Sequence, residues 1–303
     1  MGVHLFAVLL WCVGAFPGLL AVPLLTTVTC DNDTLAAAAA LGVRHINGRQ
    51  KHGFRFKLQE VLSSKYQKVS GGCHIDVTVK LVQTKCHFTN PKSDDQCELW
   101  QRDERGVVAM CSIEFWVMWG LAEVIRHECT TRPEFTNEEM VTICPSCPEL
   151  LALDDLTAVE VVNDAVVKFN RERKHLNYFT LMEVAQVTKG YTAKIGTMTW
   201  LKFVLVETTC PRGARNTFVA CAPRCSDIAH HAFCQTTYYN LHKELGQLEC
   251  ELYPPKNTAT YPTGVPEPVC KPLFHQSPEA CICKDRLSKP DPSVHHICPF
   301  PLK

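Results

Sequence analysis

Beyond its first 21 residues the chain has no run of about 18 apolar residues, the length a membrane-crossing helix needs. It also lacks net charge. Its 31 basic residues balance 31 acidic ones, so nothing global draws it to nucleic acid or an anionic membrane surface. No G-x-S-x-G, H-E-x-x-H or phosphate-binding loop is present, which removes the commonest signatures of hydrolase and nucleotide chemistry. The expectation is a monomer that is not an enzyme, carries no cofactor or metal, binds no nucleic acid and does not insert into membranes.

What is there begins with MGVHLFAVLLWCVGAFPGLLA, an apolar stretch free of acidic residues and broken by Gly14, Pro17 and Gly18. Residues 1–21 are therefore expected to be a secretory signal peptide, cleaved after Ala15 or Ala21, which makes the protein secreted and extracellular. Eighteen cysteines fit that compartment, because in an exported chain they form a disulfide framework. Cys12 lies in the signal, leaving 17, so at least one thiol is free or pairs between molecules. Asn32-Asp-Thr34 is the sole N-x-S/T sequon and places one N-glycan near the start of the exported chain.

The cysteines also reveal a repeat. Cys86, Cys97, Cys111 and Cys129 return as Cys210, Cys221, Cys234 and Cys250, offset by 121 to 124 residues. Asn47, Phe56, Leu58 and Val61 return as Asn170, Phe179, Leu181 and Val184, all shifted by 123. The chain carries a duplicated domain.

Each copy reads as a helix followed by strands. In the second, Thr157-Ala-Val-Glu160 has the form of a capping box. Ala158, Val161, Val162, Ala165, Val166 and Phe169 then make one apolar stripe of an amphipathic helix. The first copy opens at Asp33-Thr34 with an alanine-rich helix ending near Asn47, its small side chains suited to close packing on a sheet. His74–Leu81 alternates polar and apolar residues as a half-buried strand does, Thr199–Val206 is a more apolar counterpart, and Cys111–Trp119 forms a further strand. The fold class is α+β, each domain an antiparallel sheet wrapped on one main helix. The tail from 253 to 303 holds 11 of the 19 prolines and is expected to be extended, tied down by its cysteines.

Between the copies lies Cys144-Pro-Ser-Cys147-Pro148. A redox pair would sit at a helix N-terminus after a strand, yet Pro148 and Glu149 follow it and no βαβ pattern surrounds it. A structural zinc site would need a second ligand pair at usual spacing, and none appears. The remaining reading is a rigid, protruding linker.

This pattern resembles the cystatin fold, and its tandem form is similar to the fetuins of the type-3 cystatin family, closest in character to the fetuin-B branch. The likeness rests on the two 11-residue cysteine loops, the C-P-x-C-P linker and the terminal Cys298-Pro299, and covers nearly the whole exported chain. It implies cystatin-like domains at 22–130 and 151–252, a linker at 131–150 and a Pro/Cys-rich tail at 253–303. It further implies bridges Cys30–Cys298, Cys86–Cys97, Cys111–Cys129, Cys144–Cys147, Cys210–Cys221 and Cys234–Cys250. Cys73, Cys225, Cys270, Cys281 and Cys283 stand outside that scheme.

The resemblance implies inhibition of an extracellular, astacin-type zinc metallopeptidase, with the linker Cys144, Pro145, Ser146, Cys147 and Pro148 entering its cleft. In the fetuin-B branch an acidic residue between the two C-P pairs meets the zinc, whereas this chain has Ser146, a neutral hydroxyl and a poorer ligand. Gln67-Lys-Val69-Ser-Gly71 with Gly72 matches the Q-x-V-x-G hairpin of inhibitory cystatins, and the aligned segment of the second copy is Thr192 to Gly196, with Ile195 before the glycine. These hairpins are expected to flank the linker. Gln186–Gly190 looks similar but falls too early, and Trp116 and Trp119 are expected in the core or on a sheet face.

Two alternatives remain. Papain-like inhibition would use the Gln67–Gly71 hairpin. A fetuin-A-like carrier of calcium phosphate would need a ladder of carboxylates, and His74, Asp76, Thr78 and Lys80 make a mixed face. The pairs His230-His231 and His295-His296 are expected to be exposed to solvent and not to bind metal.

Overall fold

The computed structural model describes residues 28, 30, 34–172, 175–213, 221–257 and 290–301. The first 27 residues, Asn32, Cys270, Cys281 and Cys283 fall outside these. The first half runs α1 (Leu35–Arg49), β1 (Phe54–Val69), β2 (Gly72–His87), β3 (Val107–Met118) and β4 (Leu121–Pro133). A short α2 (Asn137–Ile143) and β5 (Glu149–Leu150) lead into α3 (Leu156–Glu172), β6 (Asn177–Thr192), β7 (Gly196–Pro211), β8 (His231–Tyr239), β9 (Glu244–Leu245) and β10 (Glu249–Tyr253). Two antiparallel sheets result, one in the order β1-β2-β3-β4 and one in the order β10-β8-β7-β6-β5, with β9 on β8.

Each sheet buries one face beneath its helix. Ala38, Ala39, Val43 and Ile46 of α1 pack on Ile75, Val77, Val79, Ile113 and Phe115. The contact is close because Gly42 lies against Ile113, whose Cδ1 would be 2.6 Å from any Cβ added there. The apolar stripe of α3 is buried in the same way against Val187, Leu201, Phe203 and Leu205. Its cap differs from the Thr157–Glu160 box expected from sequence. The helix starts at Leu156, and the Asp155 carboxylate accepts from the Ala158 N–H at 2.9 Å, a stronger cap two residues earlier.

The repeated asparagines explain themselves here. Asn47 donates to the Phe56 carbonyl and accepts from the Phe56 N–H, both at 2.9 Å. Asn170 makes the same pair with Phe179 at 2.7 and 2.8 Å. Each asparagine therefore closes the backbone of the first strand onto the end of the helix before it. A second device is also duplicated. Thr84 donates to the Arg55 carbonyl and accepts from the Cys86 N–H, as Thr208 does with Tyr178 and Cys210. The irregularities along β1 and β6 likewise recur at matching positions.

The bridges found are Cys86–Cys97, Cys111–Cys129, Cys144–Cys147, Cys210–Cys221 and Cys234–Cys250. Cys30 departs from the expected Cys30–Cys298 bridge and pairs with Cys73, at a Cα separation of 5.8 Å. The reason is geometric. Cys30 precedes α1, whereas Cys298 lies beyond its other end, with Sγ 3.5 Å from His52 Nε2. The helix between them is about 22 Å long, and a disulfide needs Cα atoms within about 7 Å. Cys225 and Cys298 are themselves disulfide-bonded.

Three further expectations are corrected. Residues 290–301 of the tail are packed, with Val294 and Ile297 in the first core. His231 and His296 are buried, because both line the contact between the halves or its covering strap, while His230 keeps a half-exposed ring. Trp119 is 84% exposed, because it occupies the β3–β4 turn and not a strand face.

A third apolar cluster joins the halves: Phe54 and Phe88 from the first meet Met182, Ala185, Val204, Val206 and Ala229 from the second. Lys202 lies 4.1 Å from the Trp100 ring centroid across this contact.

Replacing Asn170 with alanine would strand a buried N–H and C=O on Phe179. Asn170→Ala is expected to lower unfolding free energy by about 2–4 kcal/mol in urea denaturation, and Asn47→Ala by a similar amount.

Candidate functional site

The linker is built from its two ends inward. Thr136 caps α2, accepting from the Glu139 N–H at 3.2 Å while the Glu139 carboxylate accepts from the Thr136 N–H at 2.8 Å. Met140 is buried, and the helix stops when the Cys144 N–H bonds to the Met140 carbonyl. The Cys147 N–H then donates to the Cys144 carbonyl at 3.0 Å, closing a β-turn with Pro145 and Ser146 at its corners. Proline suits the second position of such a turn because its φ is already fixed. The Cys144–Cys147 disulfide closes the same four residues covalently. Pro145 and Ser146 are left exposed, with Cys144, Cys147 and Pro148 half-buried beneath them.

Three contacts root this knuckle. Asn137 binds both backbone groups of Leu150, at 3.0 and 2.9 Å. The buried Arg105 guanidinium donates to the Pro148 carbonyl at 2.7 Å and to the Phe135 carbonyl at 2.9 Å. β5 pairs with β6, Glu149 opposite Lys189 and Leu150 opposite Thr188. Gly190 completes the seat, since a Cβ there would lie 2.9 Å from the Trp200 ring and 3.6 Å from Pro148.

The arrangement disfavours redox chemistry on its own terms. Cys144 follows the C-terminus of α2, where the helix dipole is negative and opposes a thiolate. Among the described residues no group of three or more His, Cys, Asp or Glu side chains is arranged to hold a metal ion.

The structure brings some of the sequence-predicted hairpin residues to the knuckle and not others. Ile195 is exposed and Gly196 has φ +84 at the β6–β7 turn, which begins three residues beyond Lys189, or about 10 Å along the strand. The β8–β9 turn stands beside it, with Leu241 against Gly196 and the Asn240 N–H bonded to the Thr197 carbonyl. Tyr191 and Leu241, each 72% exposed, make this an apolar two-hairpin tip next to the linker. An exposed leucine in a turn has no periodic signature, so neither was legible in sequence.

Gln67, Val69, Gly71 and Gly72 are placed elsewhere. They form the far end of the β1–β2 hairpin, whose other end, at Phe54 and His87, meets the second half. From Val108, near Arg105, to Met118, opposite Gly72, is ten residues of strand, about 33 Å. Gly71 has φ +85, and Gly72 rests directly on the Val117 carbonyl, leaving no room for a side chain. At the same end of the sheet lie Trp119 in the β3–β4 turn and Leu121 at the start of β4, the latter 78% exposed.

A Cystatin domain matches residues 146–243, from the knuckle through the second half. Mouse alpha-2-HS-glycoprotein is 25% identical over 75% of this chain; the match spans 64% of that protein, less than two thirds of its length. Mouse fetuin-B in the inhibitory complex with human meprin beta superposes with a TM-score of 0.60 at 20% identity, covering 75% of this chain and 74% of that one. Mouse fetuin-B in complex with crayfish astacin gives 0.56 at 18%, covering 74% and 72%. The fold is that of tandem cystatin-like domains. The chain carries a Cystatin domain at residues 146–243, and its fold is similar to that of mouse fetuin-B.

Arg105→Ala would remove the donors beneath the knuckle. Hydrogen exchange at Cys147–Leu150 is expected to quicken at least tenfold while the Asn170–Phe179 clamp stays protected.

Proposed function

We propose that this protein is a secreted, non-enzymatic inhibitor of astacin-type zinc metalloendopeptidases. The observation that carries the reading is the knuckle itself: a disulfide-closed turn presenting Pro145 and Ser146, rooted by buried Arg105 and Asn137. A loop that is already ordered loses little entropy on docking, which favours its use as a plug for a cleft. The fold's likeness to fetuin-B, seen in structures with astacin and meprin beta, supports the same partner class.

In this reading Pro145 and Ser146 enter the active-site cleft. Tyr191, Ile195 and Leu241 grip its rim from one side. Ser146 reaches the peptidase zinc weakly or through water, because a neutral hydroxyl binds zinc less well than a carboxylate. The barrier is then mainly steric.

The test is inhibition of an astacin-type peptidase by micromolar protein. Inhibition is expected, and failure sinks the reading. Ser146→Asp is expected to tighten inhibition at least tenfold; no gain would count against any approach of this side chain to the zinc.

A second reading has its own observation. Trp119 projects beside the Gly71 turn, at the end of the first half remote from the linker. That edge fits an apolar wedge aimed at papain-like proteases. Trp119→Ala is expected to abolish any inhibition of a papain-like enzyme and leave metallopeptidase inhibition unchanged. The carrier reading gains less support. Asp76 and Glu114 stand opposite each other, but Lys65 is the β1 residue opposite Asp76 and Arg126 lies 3.6 Å from Glu114, so the face is not an acidic ladder.

A further inference from the structure

Residues 290–301 form a strap across the seam between the halves. On the second half, the Pro292 carbonyl accepts from the Leu153 N–H at 2.9 Å, and the His295 Nε2 donates to the Val184 carbonyl at 2.9 Å. On the first, the Ile297 N–H donates to Thr131 Oγ1 at 3.2 Å, and Phe300 exchanges two backbone hydrogen bonds with His127. The strap therefore touches the segment that leaves the knuckle, both cores and the free edge of β4.

Its grip converges on Cys298. His127 Nε2 donates to the Cys298 carbonyl at 2.9 Å, and His52 Nε2 lies 3.5 Å from Cys298 Sγ. In both rings the other nitrogen, Nδ1, is buried with no hydrogen-bond partner among the described residues. Each imidazole thus fits its site only as the neutral Nε2–H tautomer, and a second proton would have to go where nothing accepts it.

The surroundings offset that charge only in part. His127 faces His45 and Arg49 of α1, with Glu123 of β4 nearer to His45. His52 stacks on His295 and faces His87, His296 and Glu183. Arg105 lines the groove beside Ser293 and His295, Lys256 lies near His87, and Asp291 turns inward to Ser293. Glu183 favours the protonated His52 ring by its charge, but less than burial and His295 oppose it. It accepts from the Gly53 N–H at 2.7 Å and from His87 Nε2, while the Thr89 N–H donates to His87 Nδ1 and keeps that ring neutral.

We propose that His52 and His127 form a two-histidine clamp on Cys298 that opens on acidification and releases the 290–301 strap from the seam. Burial, and then neighbouring cationic or imidazole groups, lower the pKa of each ring to about 4. The closed strap therefore binds fewer protons than the open one. Its stability is complete above about pH 6.5, the ordinary histidine value, and falls as the pH drops towards 4. Between pH 7.5 and 5.0 each histidine shifts the closed–open equilibrium about 30-fold, and the pair about a thousandfold. This inference does not depend on the inhibitory reading.

Hydrogen exchange in the intact, oxidised protein tests it. After correction for intrinsic rates, protection at Ile297 and Phe300 is expected to fall at least 30-fold from pH 7.5 to 5.0, while Phe56 and Phe179 in the asparagine clamps stay protected. A strap whose protection is pH-independent, or is lost only together with the clamps, overturns the proposal. His52→Gln/His127→Gln keeps a side-chain N–H at each site and is expected to hold the strap closed at pH 5.0; release at that pH also overturns it. Should the double variant not fold, titration of the wild-type His127 ring by NMR decides. A midpoint below pH 5 is expected, and one near 6.5 refutes the clamp.

Discussion

A guanidinium buried without a carboxylate in contact demands that its donors find acceptors, and Arg105 meets this demand by joining three parts of the chain. It has a left-handed backbone (φ +60) at the end of a short 3₁₀ turn, which aims its side chain at the linker. The guanidinium takes the carbonyls of Phe135 and Pro148, one on each side of α2 and the knuckle. Its own carbonyl, with that of Glu104, accepts from Gln186 of the second half. The ends of the linker and one strand of the following domain are thus referred to a single residue of the first. Because an unpaired buried charge costs several kcal/mol, this geometry is strongly over-determined.

That constraint gives the knuckle a fixed position without restricting its tip. A three-residue spacing between cysteines cannot by itself say where a turn points. Here the direction comes from the β5 ladder, the Asn137 clamp and the Pro148–Trp200 seat, all beneath the disulfide. The same geometry keeps the Gly71 turn about 33 Å of strand away from the Arg105 end of the first sheet.

The fold was largely legible because its signals are local or periodic. The α3 stripe, the alternation of His74–Leu81 and the shared cysteine spacing each encode a face or a pairing within a few residues. Asn47 and Asn170 were visible as repeats, though their meaning as backbone clamps needed the strand they close upon. What was not legible depends on long-range placement. Cys30 meets Cys73 because the segment before α1 ends over the start of β2, a fact no spacing encodes. Trp119 left the expected sheet face because a two-residue turn with Gly120 fell there, both with positive φ. The histidine pairs misled for a related reason. Alternation in a strand puts one ring of a pair inside, but it does not say that both cores will meet around it.

The strap links these observations to the management of sheet edges. β4 has a neighbouring strand of its sheet on one side only, and an exposed edge strand invites pairing with another chain. Much of that strand is guarded by exposed charges at Glu123, Arg126, Glu128 and Arg132. At its middle sits His127, buried and neutral, where no surface charge can protect the backbone. Phe300 covers that point by pairing with it, while Arg49 lies 4.1 Å from the centroid of the Phe300 ring. The opposite edge, at the start of β1, is covered by the Cys86–Cys97 loop through Lys57 and Arg55, contacts without histidine. One edge of the first sheet is thus covered by a disulfide-closed loop. The other is closed by a segment whose grip depends on two imidazoles staying uncharged.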